Sequence, residues 1–307
     1  MRKTINFLGI AAAAFCFLGS LSFAQGIPQE QDGLGLTVEE LITGQGKWKF
    51  ELGTTFSTTS QDREIGALQT IQTGTGTFVT VPIGLGTSWL ESSVLLTNLG
   101  LRYGLTAQTE IFTSISLSFG NSDETNGITG AVMNTSSSGF NSWSLGVNHR
   151  FSQDNQTAGL IGFADIALAE NASATGTQII SGKSGTIGLT AYKVFDPVVL
   201  SITGGYRPSL ERDVNGQNVD PGDSFFLSPS VAFAVNNEVT LSGGVNIQFI
   251  GSDKVNGISQ GSNRTRGSLD FGIAYALDQK SSLNFSTRAD VVGDGSLSVG
   301  INFTRGF

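Results

Sequence analysis

Leu297-Ser298-Val299-Gly300-Ile301-Asn302-Phe303-Thr304-Arg305-Gly306-Phe307 is the stretch that decides the fold class. Its odd positions carry large apolar side chains, with Arg305 near the end as the exception, and its even positions carry Ser, Gly, Asn and Thr. A period of two with one apolar face indicates a half-buried strand. A strand that closes a membrane barrel against the first strand, with an aromatic residue in the interface girdle, would show both this alternation and the final aromatic. We therefore predict that Phe303 and Phe307 belong to a barrel-closing strand.

The composition favours a membrane β-barrel over a soluble β-sandwich. Charged residues make up 14% of the 307 residues, there are 41 glycines, and mean hydropathy is only +0.07. Soluble domains contain about 25% charged residues. After the N-terminal region, no segment approaches the ~18 consecutive apolar residues of a membrane helix. Strands with one apolar and one polar face explain both observations.

The N-terminus predicts export. Arg2 and Lys3 precede an apolar run, and Ser22-Phe23-Ala24 offers a cleavage site, so residues 1–24 are predicted to be a secretory signal. The single cysteine, Cys16, lies within it, so the mature chain has no thiol for a disulfide or a metal site. Without Arg2 and Lys3, about fifteen basic residues face 25 acidic ones. This acidic balance argues against nucleic acid as a partner.

Residues 25–46 are polar and lack the alternation of the rest of the chain, so we predict a periplasmic segment there and a barrel over residues 47–307. Thr37-Val38-Glu39-Glu40 matches a capping box before Leu41 and Ile42. It predicts a short helix, which is either part of a simple periplasmic tail or a plug in the pore mouth. The plug residues would be Thr37, Glu40, Leu41 and Ile42.

From Trp48 onward the sequence reads as twelve strands, with ten as the alternative count. Five short turns alternate with five long Gly/Ser/Asn-rich connections, which include Thr59–Thr87 and Asn121–Gly139. The next connection, Val292–Gly295, is a tight turn, although the alternation predicts a long loop there. Short periplasmic turns and long extracellular loops are typical of outer-membrane barrels. The fold class is therefore all-β: a twelve-stranded antiparallel transmembrane β-barrel with a short N-terminal plug helix.

Charged residues fall on the inward parity of several strands. Because an ionised side chain costs about 2–4 kcal/mol at the middle of the lipid face, these residues should face water. They either line a pore or pair with one another to brace the wall. Twelve strands predict a narrow pore, and the mixed signs predict weak ion selectivity. No inward hydrophobic ladder is recognised. The predicted pore-lining residues are Lys47, Lys49, Glu51, Arg102, Glu110, Arg207, Asp270, Arg288 and Asp290.

Catalytic and metal chemistry is poorly supported. His149 is the only histidine, and we interpret it as a girdle residue rather than the base of an outer-membrane phospholipase, whose motif places a serine where Phe151 stands. Asp213, Asn215, Asp220 and Asp223 crowd one loop without the spacing of an EF-hand, and turn formation explains them better than calcium. No cofactor is predicted.

Four short sequence segments resemble those of a known family. The chain resembles the outer-membrane channels grouped with the phenol meta-degradation pathway proteins, and most closely the barrel of the functional-amyloid (Fap) secretion channel, over residues 37–307. It lacks the N-terminal coiled-coil segment of that channel. The segments are Leu101-Arg102-Tyr103-Gly104-Leu105-Thr106 with Glu110, Phe195-Asp196-Pro197-Val198-Val199-Leu200, Gly222-Asp223-Ser224, and Ala234-Val235-Asn236-Asn237.

The resemblance implies a twelve-stranded barrel, transport rather than catalysis, and a helix that plugs the pore from the periplasm. Phe307 is similar to the C-terminal sorting signal of outer-membrane proteins. The expected partners are outer-membrane lipid, the barrel-assembly machinery and a transported substrate of unknown identity. We expect passive conduction of a small solute or an unfolded polypeptide, with a non-conducting structural or adhesive barrel as the alternative. No oligomeric state follows from the sequence.

Overall fold

Twelve long strands make up most of the computed structural model, which describes residues 42–74, 77–155, 157–172, 178–214, 216–293 and 295–307, without the side chains of 63–86. No helix in these ranges is long and apolar enough to cross a membrane. The predicted signal and the helix from Thr37 to Leu41 lie outside the described residues. The strands are β1 (Trp48–Gly74), β2 (Thr77–Gly104), β3 (Thr109–Asn126), β4 (Val132–Ser152), β5 (Gly159–Asn171), β6 (Gly185–Phe195), β7 (Val198–Arg207), β8 (Ser224–Ala234), β9 (Val239–Ile250), β10 (Arg264–Ala276), β11 (Ser281–Val292) and β12 (Leu297–Gly306).

The strands close into one antiparallel barrel. Each pairs with the next in sequence, and β12 pairs with β1 so that Phe303 lies opposite Leu52. The N–H of Phe307 donates to the carbonyl of Trp48 at 2.9 Å. The prediction of a closed barrel of twelve strands, rather than ten, is therefore confirmed. Closure leaves no sheet edge within the lipid, which is the condition for strands to span a bilayer.

Alternation along the strands gives the barrel its two faces. The outward face carries exposed apolar residues such as Leu52, Phe56 and Ile115. Near the periplasmic end, the rings of Trp48 and Tyr103 lie 4.5 Å apart, as expected for an aromatic girdle. The inward face carries small polar side chains that bond across neighbouring strands. Pairs of this kind are Ser57–Ser298, Ser114–Ser144 and Ser116–Ser142, each at 2.8 Å.

Short turns join the strands at the periplasmic end. Asn236 Oδ1 accepts N–H groups from Glu238 and Val239 at 2.8 Å, an Asx turn of the type that asparagine favours. In the turn between β4 and β5, a hydrogen bond from Lys193 Nζ to Asp154 Oδ1 at 2.6 Å holds the pKa of Asp154 below its usual value.

Two predicted loops are strands in the structure. The sequence predicts long connections at Thr59–Thr87 and Asn121–Gly139, but β1 and β2 stay paired as far as Gly74 opposite Thr77. Likewise β3 and β4 stay paired as far as Thr125 opposite Val132. A hairpin that extends beyond the membrane has no lipid on its outer face, so its sequence need not alternate between apolar and polar positions. Its strand character comes from pairing with the adjacent segment, which a pattern of single positions does not reveal.

Two of the other extracellular connections build a small second sheet. Its four short strands come from the β7–β8 and β9–β10 connections. Gly222 and Gly251 allow these connections to touch, since a Cβ on Gly222 would lie 2.0 Å from the carbonyl oxygen of Gly251. One further short strand, Ile179–Ile180, pairs with the end of β5. The four strands are Arg212–Val214, Gln217–Asp220, Asp253–Val255 and Ile258–Gln260.

Candidate solute pathway and plug site

The segment before β1 turns back into the periplasmic mouth of the barrel. Gln45 forms a bridge with Gly104 at the end of β2, and the N–H of Gly46 donates to the Gly104 carbonyl at 2.8 Å. A Cβ on Gly104 would lie 2.1 Å from the carbonyl oxygen of Gly44. Only glycine at position 104 therefore lets the two backbones approach this closely.

A buried polar network, which we call the Glu110 cluster, holds this segment to the wall. It consists of Thr43, Glu51, Arg102, Glu110 and Asn148. Oε2 of Glu110 accepts the backbone N–H of Thr43 at 2.6 Å, and Oε1 accepts from Arg102 Nη1 at 2.9 Å and from Asn148 Nδ2 at 2.7 Å. Arg102 Nε also donates to Glu51 Oε1 at 2.7 Å. Because Glu110 is only 1% exposed, losing one of these partners would leave a buried charge poorly compensated.

Ile42 extends the segment past β4 to the neighbouring strands β5 and β6. Its side chain is 3% exposed and forms an apolar cluster with Ile161 of β5 and Tyr192 of β6, with Val194 packed against it. Thr43 is bonded to β3 while Ile42 packs on β5 and β6, so the chain lies across part of the barrel interior. The sequence predicted a helix ending at Ile42. The structure describes only Ile42 of the four plug residues, and Ile42 is not helical there.

The remaining predicted pore residues occupy different places. Nearer the extracellular end, Arg288 Nε donates to Asp270 Oδ1 at 2.6 Å. Asp290 accepts from the backbone and hydroxyl of Ser296 and thereby braces the β11–β12 turn. Arg207 and Lys49 are half-buried on the wall, whereas Lys47 is exposed in the turn before β1.

Aromatic residues inside the barrel are the feature that the sequence analysis missed. Phe226 is 4% exposed and Tyr192 is 3% exposed, and both lie on the inward face. The sequence analysis expected no row of apolar side chains on the inward face, and that expectation was wrong. The signal in the sequence is a glycine on the neighbouring strand. A Cβ would clash with a ring at four such glycines: Gly146 with Phe112, Gly159 with Tyr192, Gly188 with Phe163, and Gly205 with Phe226.

Four of these residues form one continuous row across the wall. Phe163 lies opposite Gly188, Gly188 opposite Gly205, and Gly205 opposite Phe226. The two rings lie over the two central glycines, at 2.3 Å and 2.5 Å from where their Cβ atoms would stand. We call Phe163, Gly188, Gly205 and Phe226 the ring–glycine row. The row adds two apolar rings to an inward face that also carries many small polar side chains.

His149 and the acidic loop have structural contacts. His149 Nδ1 lies 2.9 Å from Thr109 Oγ1, and its ring meets Phe151 edge-on at 4.8 Å. Asp213 accepts the N–H of Gly216, and Asp220 pairs with Lys254 at 3.2 Å. Within the described ranges, no group of three or more His, Cys, Asp or Glu residues is arranged to hold a metal.

The sequence matches one protein family over most of its length. The model for the family described as "Putative MetA-pathway of phenol degradation" covers residues 66–295. The chain belongs to this family. The family named from the sequence is thereby confirmed, while the specific likeness to the functional-amyloid secretion channel stays a prediction. No curated protein sequence matches the chain.

Solved structures with the same fold are outer-membrane channel and transport barrels. The COG4313 outer membrane channel from Pseudomonas putida F1 is 14% identical, with 86% of this chain and 96% of that chain covered and a TM-score of 0.61. The translocator domain of the autotransporter NalP from Neisseria meningitidis is 11% identical, with coverage of 96% and 97% and a TM-score of 0.50. The Pseudomonas putida toluene transporter TodX is 12% identical, with coverage of 84% and 88%, but its TM-score of 0.41 is too low to support an argument. The fold and the family place this chain in the outer membrane, surrounded by lipid.

Proposed function

We propose that the protein is a passive outer-membrane channel for small solutes. The observation that carries this proposal is the contrast between an exposed apolar outer face and an inner face of paired charges, serines and glycines. Ionised side chains on the inner face fit a hydrated path, because they would be costly on the lipid face. We therefore do not favour the non-conducting structural or adhesive barrel. Transport, rather than catalysis, is the role of this interior.

We propose further that the segment around Ile42 and Thr43 closes the path from the periplasm. Ile42 fills an apolar site between β5 and β6, and Thr43 is bonded to Glu110 on β3. Releasing the segment would expose the side chains of the Glu110 cluster to the path. On this proposal Thr37, Glu40 and Leu41 belong to the same plug, and Glu51, Arg102 and Glu110 line the exit.

The remaining charges would line the path above the exit. Arg288 and Asp270 neutralise each other, so wild-type selectivity between anions and cations should be weak. The wall of the path would also carry the charges of Lys49, Arg207 and Asp290. Lys47 would act only at the periplasmic rim, because it lies in the exposed turn.

The solutes that suit this path are small and aromatic. The ring–glycine row offers a planar solute the half-buried ring of Phe163 to stack on, and stacked aromatic pairs are worth about 0.5–1.5 kcal/mol. The family description, which concerns phenol degradation, supports the same class. The barrel-assembly machinery would insert the chain, with Phe307 as its signal. We propose no route for an unfolded polypeptide, since the two rings and the plug leave little room for one.

Ion current through planar bilayers tests this function. The wild-type chain should conduct weakly, and a chain lacking residues 26–44 should conduct more, because the plug is gone. A small phenol should reduce the current of the shortened chain, and Phe163→Ala should weaken that block by about two- to tenfold, the range expected from one lost stacking contact. Phe249→Ala, on the outer face, is the matched control and should leave the block unchanged. Absence of current from both chains would favour the sealed barrel.

A further inference from the structure

A cleft of about 300 Å³ lies on the outward face of β1–β4. Its floor is one cross-strand row in which Phe56 lies opposite Leu95, and Leu95 opposite Phe119. All three side chains are exposed, Phe56 at 47% and Phe119 at 46%. The volume is at the low end for a site that binds a small molecule. The polar residues around the floor are Ser93, Asn121, Ser136 and Ser138.

The cleft lies at the extracellular boundary of the lipid-facing band. On β1 the outward apolar residues run from Trp48 to Phe56, and Thr58 and Ser60 follow on the same face. A strand needs about 9–11 residues to cross the hydrocarbon, so Phe56 stands where the outer leaflet meets its headgroups. The molecule that covers the cleft in place is therefore a lipid, with its acyl chain on the rings and its headgroup at the polar rim.

The rim is chemically suited to uncharged hydroxyl and amide groups. Serine hydroxyls and the Asn121 amide both donate and accept hydrogen bonds. No lysine or arginine is among the described residues that line the cleft. One row further out, the exposed carboxylates of Glu91 and Asp123 lie directly opposite each other. Two carboxylates at this position would repel a bare phosphate.

Beside the cleft, β4 extends outward beyond its described pairing with β5. Pairing of β4 with β5 ends at Ser142, opposite Glu170, while β4 continues outward to Val132, where β3 is its one paired neighbour among the described residues. Among the described residues, the backbone along Ser136–Ser138 thus lies at a sheet edge, whose N–H and C=O groups can bond a ligand. An amide-linked or ester-linked acyl sugar has complementary groups at this depth.

We propose that this cleft is a specific binding site for an acylated glycolipid of the outer leaflet. The acyl chain packs on Phe56 and Phe119, and the sugar with its acyl linkage bonds Asn121, Ser136 and Ser138. The site is distinct from the solute path, because it lies on the opposite face of the wall. It gives the barrel a fixed lipid at one side of its extracellular rim.

Native mass spectrometry of the detergent-purified barrel tests the site. Two probes with equal chain lengths are added: a phosphate-free acylated glucosamine disaccharide and a phosphatidylglycerol. Wild type should retain one glycolipid, about tenfold more strongly than the phospholipid. Phe119→Ser removes half of the aromatic floor, and Ser138→Trp fills the cleft from an exposed position. Each should abolish the preference.

Phe249→Ser is the matched control. Phe249 belongs to the outward girdle on β9, where its ring stacks near Phe225 at 6.4 Å, far along the sheet from the cleft. This variant should retain the glycolipid as wild type does. Equal retention of both lipids by wild type would overturn the proposal, as would an unchanged preference in both cleft variants or an equal loss in Phe249→Ser. Heat-modifiable migration on gels checks that each variant is folded.

Discussion

The backbone N–H of Thr43 donates a 2.6 Å hydrogen bond to Oε2 of Glu110, across 67 residues of sequence. The same carboxylate binds Arg102 on the wall, so the N-terminal segment is attached through one buried charge. Hydrogen bonds to charged groups contribute about 1.5–3 kcal/mol. A contact of this size can hold a segment closed and still be released by a modest perturbation.

Glu110→Gln should raise single-channel conductance. The amide keeps the shape of the carboxylate but loses its charge, which weakens the bond to Thr43 and shifts the segment toward release by about tenfold or more. Glu51→Gln is the control, because it breaks the other ion pair of Arg102 without touching Thr43. Planar-bilayer recordings measure both. An equal rise in the two variants would mean that lumen charge, and not the attachment of the segment, limits the current.

Gly104→Ala should also raise conductance, without any change of charge. The added Cβ would lie 2.1 Å from the carbonyl oxygen of Gly44, so the segment must move away from β2. Gly204→Ala serves as the control, since its Cβ would meet Leu227 at an ordinary 3.6 Å. If the segment does close the path, only the first variant changes the current. Similar currents for Gly104→Ala and wild type would contradict that role.

Ion selectivity should depend on the pair of Arg288 and Asp270. Asp270→Asn removes the partner that Arg288 contacts at 2.6 Å and leaves net positive charge, so permeability should shift toward anions by a few-fold. Arg288→Gln should shift it toward cations. Reversal potentials in a potassium chloride gradient measure the direction. Shifts of the same sign in both variants would show that the pair does not face the path.

Deleting Phe307 should reduce insertion into the outer membrane more than it reduces the stability of the folded barrel. The deletion removes one hydrogen bond, from its N–H to the Trp48 carbonyl, and one girdle aromatic. Phe195→Ala is the control, an exposed phenylalanine at the same periplasmic end. Yield in the outer-membrane fraction and the midpoint of urea unfolding are the two measurements. Equal yields from the two variants would argue against a sorting role for Phe307.

The barrel could be predicted because alternation is a local property. Leu297 to Phe303 show their lipid-facing and water-facing sides in single-residue steps, and the bilayer allows only a closed sheet for such strands. The β1–β2 extension beyond Thr59 could not be predicted this way. Its strand character depends on pairs such as Ser60 with Glu91, which leave no trace in either strand alone.

The charges of the wall were recognisable from the sequence, but their partners were not. Arg102 and Glu110 fall on the inward parity by position, and a charge on that face is expected to meet water. Only the cross-strand register brings Glu51, Arg102 and Glu110 together and adds Asn148 from the next strand. The ring–glycine row was missed for the same reason, since Gly188 and Phe163 become neighbours only when β5 pairs with β6.

By itself, the sequence determined that this chain forms a closed β-barrel in the membrane, because apolar residues at every second position predict strands and lipid offers no hydrogen-bond partner to an open sheet edge. The count of twelve strands, rather than ten, came from the structure. Tertiary structure decided what lies inside. It brought the backbone N–H of Thr43 to the carboxylate of Glu110 and packed Ile42 against Ile161 and Tyr192. These long-range contacts depend on strand register and barrel closure, which no local pattern encodes.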